Sequence, residues 1–455
     1  MSPRSISLSQ GSGGRTGTPR SELDEKRASG FVLYAGIAAA LGEFVDGYDM
    51  IVITVASIVL VPVFHLSPAA AGFLVSSAFI GAGFASLLLG DVVDRIGRLT
   101  VFTVDLILFV ILAIFAALST NYVELLTIRF FMGVGVGIDI TASLPYLAEV
   151  SPKHTRGRIL GSLPMLTWAF GALSSILLAV LLLSLFGSEA WRWMLGLSAI
   201  PALVTIGLRS RLPESPRWLE SRGQVEDAKR SYKKFGVESA LTSPKVSKKG
   251  FAKLLRGFGA ILSVVLIINF VQALGGAVAS VGTPYVFRYG ALLGLNTAVA
   301  FSAFVWVGDI LGVFVSVAVI DRISRRHTWY LSQTTNGFLG ILIALAIMYK
   351  SFFLLPLFFL FGVCNWIGGS PLTVMWPTEL FPTSMRGKST GLGNTALRWG
   401  IALLAFILPV GIAAIGAVST LLLLSMTFFI TSAIVHHYPI LDTTTKPLDE
   451  VARES

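Results

Sequence analysis

Three carboxylates fall within one short piece of an otherwise apolar run: Glu43-Phe44-Val45-Asp46-Gly47-Tyr48-Asp49, inside the stretch from about Phe31 to Val63. A run of that length can cross a bilayer as a helix, since the hydrocarbon core needs about 20 apolar residues. Ionisable groups at that depth cost at least ~2.5 kcal/mol each, so they face a polar cavity or a partner. On a helix Glu43 and Asp46 share a face, and Asp49 drifts partly off it. The chemistry on offer is a proton or cation site. Either several of the acids titrate, or one does and hydrogen bonds fix the others.

Two cations lie in similar surroundings. Arg129 opens Arg129-Phe130-Phe131-Met132-Gly133-Val134-Gly135-Val136-Gly137-Ile138-Asp139. It needs an anion, and an acid of the first apolar run is the obvious candidate. The three glycines permit close helix packing; with no strand before them they are no dinucleotide fingerprint. Arg398, in Gly393-Asn394-Thr395-Ala396-Leu397-Arg398, is the other. Its planar fork suits a carboxylate or phosphate, which is either a substrate group or a structural partner such as Asp309. Asp105 and Glu124 are further acids without a role at this level.

The elements that position these groups follow from composition. The chain of 455 residues is 54% hydrophobic and 13% charged, against about 25% charged in a soluble domain. Apolar runs are expected near 31–62, 68–90, 99–118, 122–150, 157–186 and 191–208, then near 257–288, 295–320, 328–349, 351–378, 388–413 and 416–438. Residues 1–28 and 439–455 read as polar tails and 209–256 as a basic loop between halves 29–208 and 257–438. With the N-terminus inside, 30 of the 35 Lys and Arg fall on the cytoplasmic side and three outside. The positive-inside rule thus places both termini in the cytoplasm of a multi-pass plasma-membrane protein. Net charge of +10 reports topology, not nucleic acid. The single Cys364 excludes an internal disulfide. Neither a nucleotide-binding loop nor a metal constellation is present, so no cofactor is expected and a gradient must power uphill movement.

An internal repeat supports two related halves. Glu149-Val150-Ser151-Pro152 with Arg156-Gly157 recurs as Glu379-Leu380-Phe381-Pro382 with Arg386-Gly387, 230 residues later. Asp94-Arg95-Ile96-Gly97-Arg98 recurs as Asp321-Arg322-Ile323-Ser324-Arg325, 227 residues later. Parallel repeats of this kind place a substrate site at their interface near mid-membrane.

Over residues 31–438 the chain resembles the major facilitator superfamily, through Gly90-Asp91-Val92-Val93-Asp94-Arg95-Ile96-Gly97-Arg98. Tyr146-Leu147-Ala148-Glu149 and Pro213-Glu214-Ser215-Pro216-Arg217 are similar to sugar porters and their relatives. The resemblance implies an all-α protein of twelve transmembrane helices in two pseudo-symmetric six-helix bundles. It implies a gate of ion pairs at the cytoplasmic face, drawn from Asp94, Arg95, Arg98, Glu149, Arg156, Glu214, Arg217, Asp321, Arg325, Glu379 and Arg386, latching the halves; the plainer alternative is that these residues fix topology and turns. Asp49 matches the proton-coupling acid of sugar porters, and Arg129 the arginine beside it. Asp139 has no sugar-porter counterpart and looks like the fourth-span acid of phosphate:proton symporters. Aromatic-acid:proton symporters similarly carry Asp-Gly-x-Asp in the first span, as at Asp46 and Asp49. The seventh-span amides of sugar porters are echoed by Asn269 and Gln272, whereas Ala172 stands where they carry glutamine. Metabolite:proton transporters have a span-eleven arginine like Arg398 that contacts substrate.

Together these give a proton-coupled symporter, not an enzyme, for a small organic anion or related metabolite, working as a monomer in the lipid bilayer. A sugar porter is the alternative and an inorganic phosphate symporter comes third. Asp46, Asp49, Asp139 and Arg129 are the coupling candidates. Arg398, Gln272, Asn269, Asn365, Trp366 and Asn394 are the substrate candidates.

Overall fold

The computed structural model describes residues 30–89, 93, 95–151, 153–236, 251–320, 322–381 and 386–438, with backbone alone for 153–161, 251–257 and 386. Ten continuous apolar helices are long enough to cross a membrane. Two of them, Ser162–Arg209 and Gly387–His437, hold 48 and 51 residues, enough for two crossings each. The described residues thus hold twelve spans, as the apolar runs predict.

Spans one to four are Gly30–Val63, Pro68–Leu88, Arg98–Leu118 and Tyr122–Val150. Span five is Lys153–Phe186, and span six is Ala190–Gly196 continued by Ala199–Arg209. Local chemistry sets several ends. Ser67 caps span two, accepting from the Ala70 N–H, with Pro68 in the first turn. Asn121 accepts from the Glu124 N–H while the Glu124 carboxylate takes the Thr120 N–H (2.8 Å). That reciprocal pair is a capping arrangement, and it gives Glu124 a structural role. Span one is buried over most of its length, so it runs through the middle of the first six.

Among the described residues, π-helical turns occur in the second six spans alone. Span seven (Phe251–Ala277) continues through π-helical Val278–Gly282 and Val286–Gly290. Spans eight and nine are Leu295–Val319 and Arg325–Met348. Span ten is Leu354–Cys364, a π-turn at Asn365–Gly369, then Ser370–Glu379. Spans eleven and twelve share Arg386–His437, broken where Gly416 adopts φ 82°. π-turns inside helices often mark functional sites, and here one presents Asn365 and Trp366.

The halves meet along spans two and eleven and along spans five and eight. Ser76 donates to the Ala402 carbonyl (2.7 Å), Thr395 to the Gly83 carbonyl (3.1 Å), and Trp168 packs on Trp306 with centroids 5.5 Å apart. At the end away from the basic loops, Ser57 and Tyr285 share a hydrogen bond of 2.7 Å. Gly133 and Gly137, one turn apart, bring span four onto the Ala78 and Ala82 carbonyls of span two; Gly135 faces elsewhere.

Candidate functional site

Asp49 and Arg129 meet as the sequence suggested. The Arg129 guanidinium donates to Asp49 Oδ1 (2.6 Å) and to the Asp49 carbonyl (3.3 Å), both side chains fully buried. Span four also passes Met132 sulfur within 3.7 Å of the same guanidinium. The pair is electrically neutral and enclosed.

Asp139 does not join it. Ten residues along span four, about 15 Å by helical rise, Asp139 takes a two-pronged contact from Arg209, at 2.6 and 3.3 Å. Arg209 also donates to the Ala38 and Ala39 carbonyls (3.1 and 2.8 Å) and lies 4.3 Å from the Phe102 ring centroid. This corrects the loop boundary: Arg209 is 1% exposed and closes span six rather than opening a basic loop. Tyr34, donating to the Leu208 carbonyl (2.5 Å), draws span six against span one at this point. Gly42 makes the approach possible, since a Cβ there would collide with Asp139 Oδ2 and Arg209 Nη2. A conspicuous signal for Arg209 was available: Asp139 in an apolar helix demanded a buried cation, and Arg209 ends the adjacent apolar run.

Other acids crowd this inner pair. Asp105 of span three is buried, and its Oδ1 has no hydrogen-bond partner. Glu43, Asp46 and Asp105 are 7, 3 and 5% exposed. Asp46 feels the charges of Asp139, Glu43, Asp105 and Arg398. Arg398 does not pair with Asp309; its charge acts on Asp46 and Glu43 across the interface between the halves. No described carboxylate lies at salt-bridge distance from it, and its Nε has no hydrogen-bond partner.

The second six spans offer neutral amides. Gln272 donates to Asn365 Oδ1 (3.2 Å), and Asn365 donates to Ser370 Oγ (3.2 Å). Trp366 stands beside them, 6.0 Å from Trp168 of the other half. Two further substrate candidates also hold helices together. Asn269 is fully buried and donates to the Thr373 and Gly393 carbonyls (2.9 and 3.1 Å), fastening span seven to spans ten and eleven. Asn394 donates to Ser86 Oγ (2.8 Å), tying the halves together. Both amide nitrogens are engaged in packing, while Asn269 Oδ1 has no hydrogen-bond partner. Asp309, fully buried in span eight with neither oxygen hydrogen-bonded, has the Trp366 indole as its polar neighbour.

At the basic end the repeat is visible as geometry. Arg98 reaches Glu149 at 3.4 Å and the Val93 carbonyl; Arg325 reaches Glu379 at 3.4 Å and the Ile320 carbonyl. Each of these pairs stays within its own half. Glu214 accepts from the Arg98, Leu99 and Ser215 N–H groups (3.1, 3.0 and 2.8 Å), capping span three. Burial raises its carboxyl pKa against the pull of those three donors. Tyr146 donates to the Pro213 carbonyl (3.0 Å), so this loop is docked on the first half. Arg95 is exposed and Arg217 half-buried. Asp94 and Asp321 lie outside the described residues, as do the side chains of Arg156 and Arg386.

Residues 35–454 match the family model described as sugar (and other) transporter. The chain is 30% identical over 439 residues to the probable metabolite transport protein CsbC of Bacillus subtilis, covering 90% of this chain and 92% of that one. It is 27% identical over 404 residues to the arabinose-proton symporter of the same organism, covering 84 and 86%. It is 30% identical over 395 residues to the glucose transporter GlcP of Staphylococcus epidermidis, covering 82 and 86%. Among solved structures, the major facilitator proton:xylose symporter XylE bound to 6-bromo-6-deoxy-D-glucose superposes with a TM-score of 0.76 at 22% identity, covering 94% of this chain and all of that one. A partially occluded inward-open form of the Escherichia coli xylose transporter gives 0.78 at 22%, covering 90 and 98%.

Proposed function

The chain belongs to the sugar (and other) transporter family, and from that premise we propose that it carries a monosaccharide-like polyol across the membrane together with protons, by alternating access. The observation that carries the substrate class is the amide pair Gln272–Asn365 beside Trp366. Amides both donate and accept, which matches the hydroxyls of a neutral sugar, and an indole offers a rigid apolar face for its ring. Arg398, the feature that pointed to an organic anion, is already faced by the acids Asp46 and Glu43. The relatives named for arabinose-proton symport and glucose transport support the same choice.

Asp46, Asp49 and Asp139 are the coupling acids in this reading, and Arg129 holds Asp49. The Arg98–Glu149 and Arg325–Glu379 pairs serve the gate by stiffening the ends of the two halves. The basic end faces the cytoplasm, in keeping with the distribution of Lys and Arg. Cysteine placed at exposed Ser188 should then label from outside intact cells, and labelling only after permeabilisation would reverse the orientation.

The central test is uptake into proteoliposomes of arabinose, xylose, glucose, a small organic acid and phosphate, with and without a pH gradient. Sugar accumulation that follows the gradient is expected. An organic acid as the best substrate would overturn the substrate class. Accumulation that ignores the gradient would overturn coupling.

A further inference from the structure

We propose that Gln333 of span nine is a third substrate amide, which with Gln272 and Asn365 reads two neighbouring hydroxyls of the sugar and so sets which sugars are accepted. This rests on the sugar reading above and goes beyond it by naming a specificity-determining residue on a span that carries none of the other substrate candidates.

Span nine lies behind the π-turn of span ten and supplies partners for its backbone. Ser332 donates to the Cys364 carbonyl (2.6 Å) and accepts from the Gly369 N–H (3.1 Å). Asn336, its amide nitrogen set towards the Phe361 carbonyl (3.2 Å), accepts from the Asn365 N–H (3.1 Å). Both side chains are thereby used in holding the turn. Gln333, between them in sequence, is not. It is fully buried, and neither its Oε1 nor its Nε2 has a hydrogen-bond partner. A buried amide left so is destabilising, and such a group in a native fold calls for a reason.

Its position supplies one. A Cβ on Gly369 would strike Gln333 Nε2 while lying 3.1 Å from Gln272 Nε2 and 3.3 Å from Asn365 Oδ1. Amides from spans seven, nine and ten therefore converge on one point, which the missing side chain of Gly369 leaves clear. Gln272 and Asn365 are bonded to each other at 3.2 Å. A hydroxyl can enter between them because it accepts from one and donates to the other. The next hydroxyl on the sugar then meets Gln333, whose oxygen and nitrogen need leave no other partner to bond it. A sugar lacking that hydroxyl keeps the amide buried and unpaired, and is disfavoured for it.

The test uses full-length protein, with competition for sugar uptake in proteoliposomes and thermal unfolding in detergent. Wild type is first assayed with arabinose, xylose and glucose; failure to take any of them would remove the sugar reading itself. Deoxy derivatives of the best of these, each lacking one hydroxyl, then compete against it on wild type and on Gln333→Met. That change keeps an unbranched side chain and removes both polar atoms. One derivative, about tenfold weaker than its parent sugar on wild type, should match the parent on Gln333→Met, while the others keep their wild-type ratios. Gln333→Met should also melt no lower than wild type, since it breaks no hydrogen bond within the protein. Asn336→Leu should instead melt lower and weaken parent and derivatives in equal proportion, as a residue that only holds the turn would. That uniform pattern in Gln333→Met, ratios unchanged from wild type, or a marked loss of its thermal stability would each overturn the inference.

Discussion

The two halves share their ends and differ in their middles. At the basic end Arg98–Glu149 and Arg325–Glu379 are the same contact at the same 3.4 Å, each arginine also reaching a carbonyl five residues back. At mid-membrane the first half holds two buried ion pairs and additional acids. The second half holds the amides Gln272, Asn365 and Asn269, with Arg398 and the unpaired Asp309 as its buried charges. A duplicated scaffold thus keeps one mechanical part twice and assigns charge to one side and hydrogen bonding to neutral groups on the other. On the proposed function this amounts to a division of labour: protons on spans one to six, substrate hydroxyls on spans seven to twelve.

The largest way to break this comparison is to strand a charge in the first half. Arg209→Met leaves Asp139 buried without its cation and should cost about 3–5 kcal/mol, read as a collapse of thermal stability in detergent. Arg209→Met with Asp139→Leu should recover most of it. The matching change in the second half, Asp309→Asn, strands nothing and should stay within about 1 kcal/mol. Equal losses at the two sites would erase the asymmetry.

Gly42→Ala tests the same pair from its packing side. The added methyl meets Asp139 Oδ2 and Arg209 Nη2, and overpacking of this kind costs about 1–3 kcal/mol. A variant as stable as wild type would show that the pair has room to move.

Function should separate along the same line. Asp49→Asn should abolish gradient-driven accumulation while substrate exchange remains measurable. Gln272→Ala should instead weaken sugar binding by roughly tenfold, the worth of about one hydrogen bond, with the response to pH intact. Loss of coupling from Gln272→Ala would dissolve the division. The smallest expected difference belongs to the shared ends. Arg98→Ala and Arg325→Ala remove pairs of equal length and similar burial, so their stability losses should match each other.

Much of this was legible from residues alone. The number of spans and most of their limits followed from apolar length, and the repeat announced the paired ends. Arg129 could be assigned to an acid of span one because a lone cation in an apolar span needs a buried anion, and the resemblance to sugar porters singled out Asp49 among the three. Even the cap at Glu124 stood in the sequence, as an Asn three residues before a Glu at a helix start. Arg209 is less legible, because at the end of an apolar run hydropathy alone does not decide whether an arginine closes the helix or opens the loop.

Apolar length, the duplicated motifs and the presence of buried ions are properties of the chain in one dimension, and the sequence determined them by itself. The tertiary structure decided who meets whom. Asp139 could have faced Arg129, Arg209 or a cavity; Arg398 could have faced Asp309, a substrate or span one; Asn269 and Asn394 could have lined a site or tied helices together. Those choices depend on how far each helix is rotated about its axis and how closely its backbone approaches the next. Helical periodicity fixes which residues share a face but not what that face meets. At Gly42 a single absent Cβ lets span one come close enough for Asp139 and Arg209 to sit against it, and only the packed bundle reveals that.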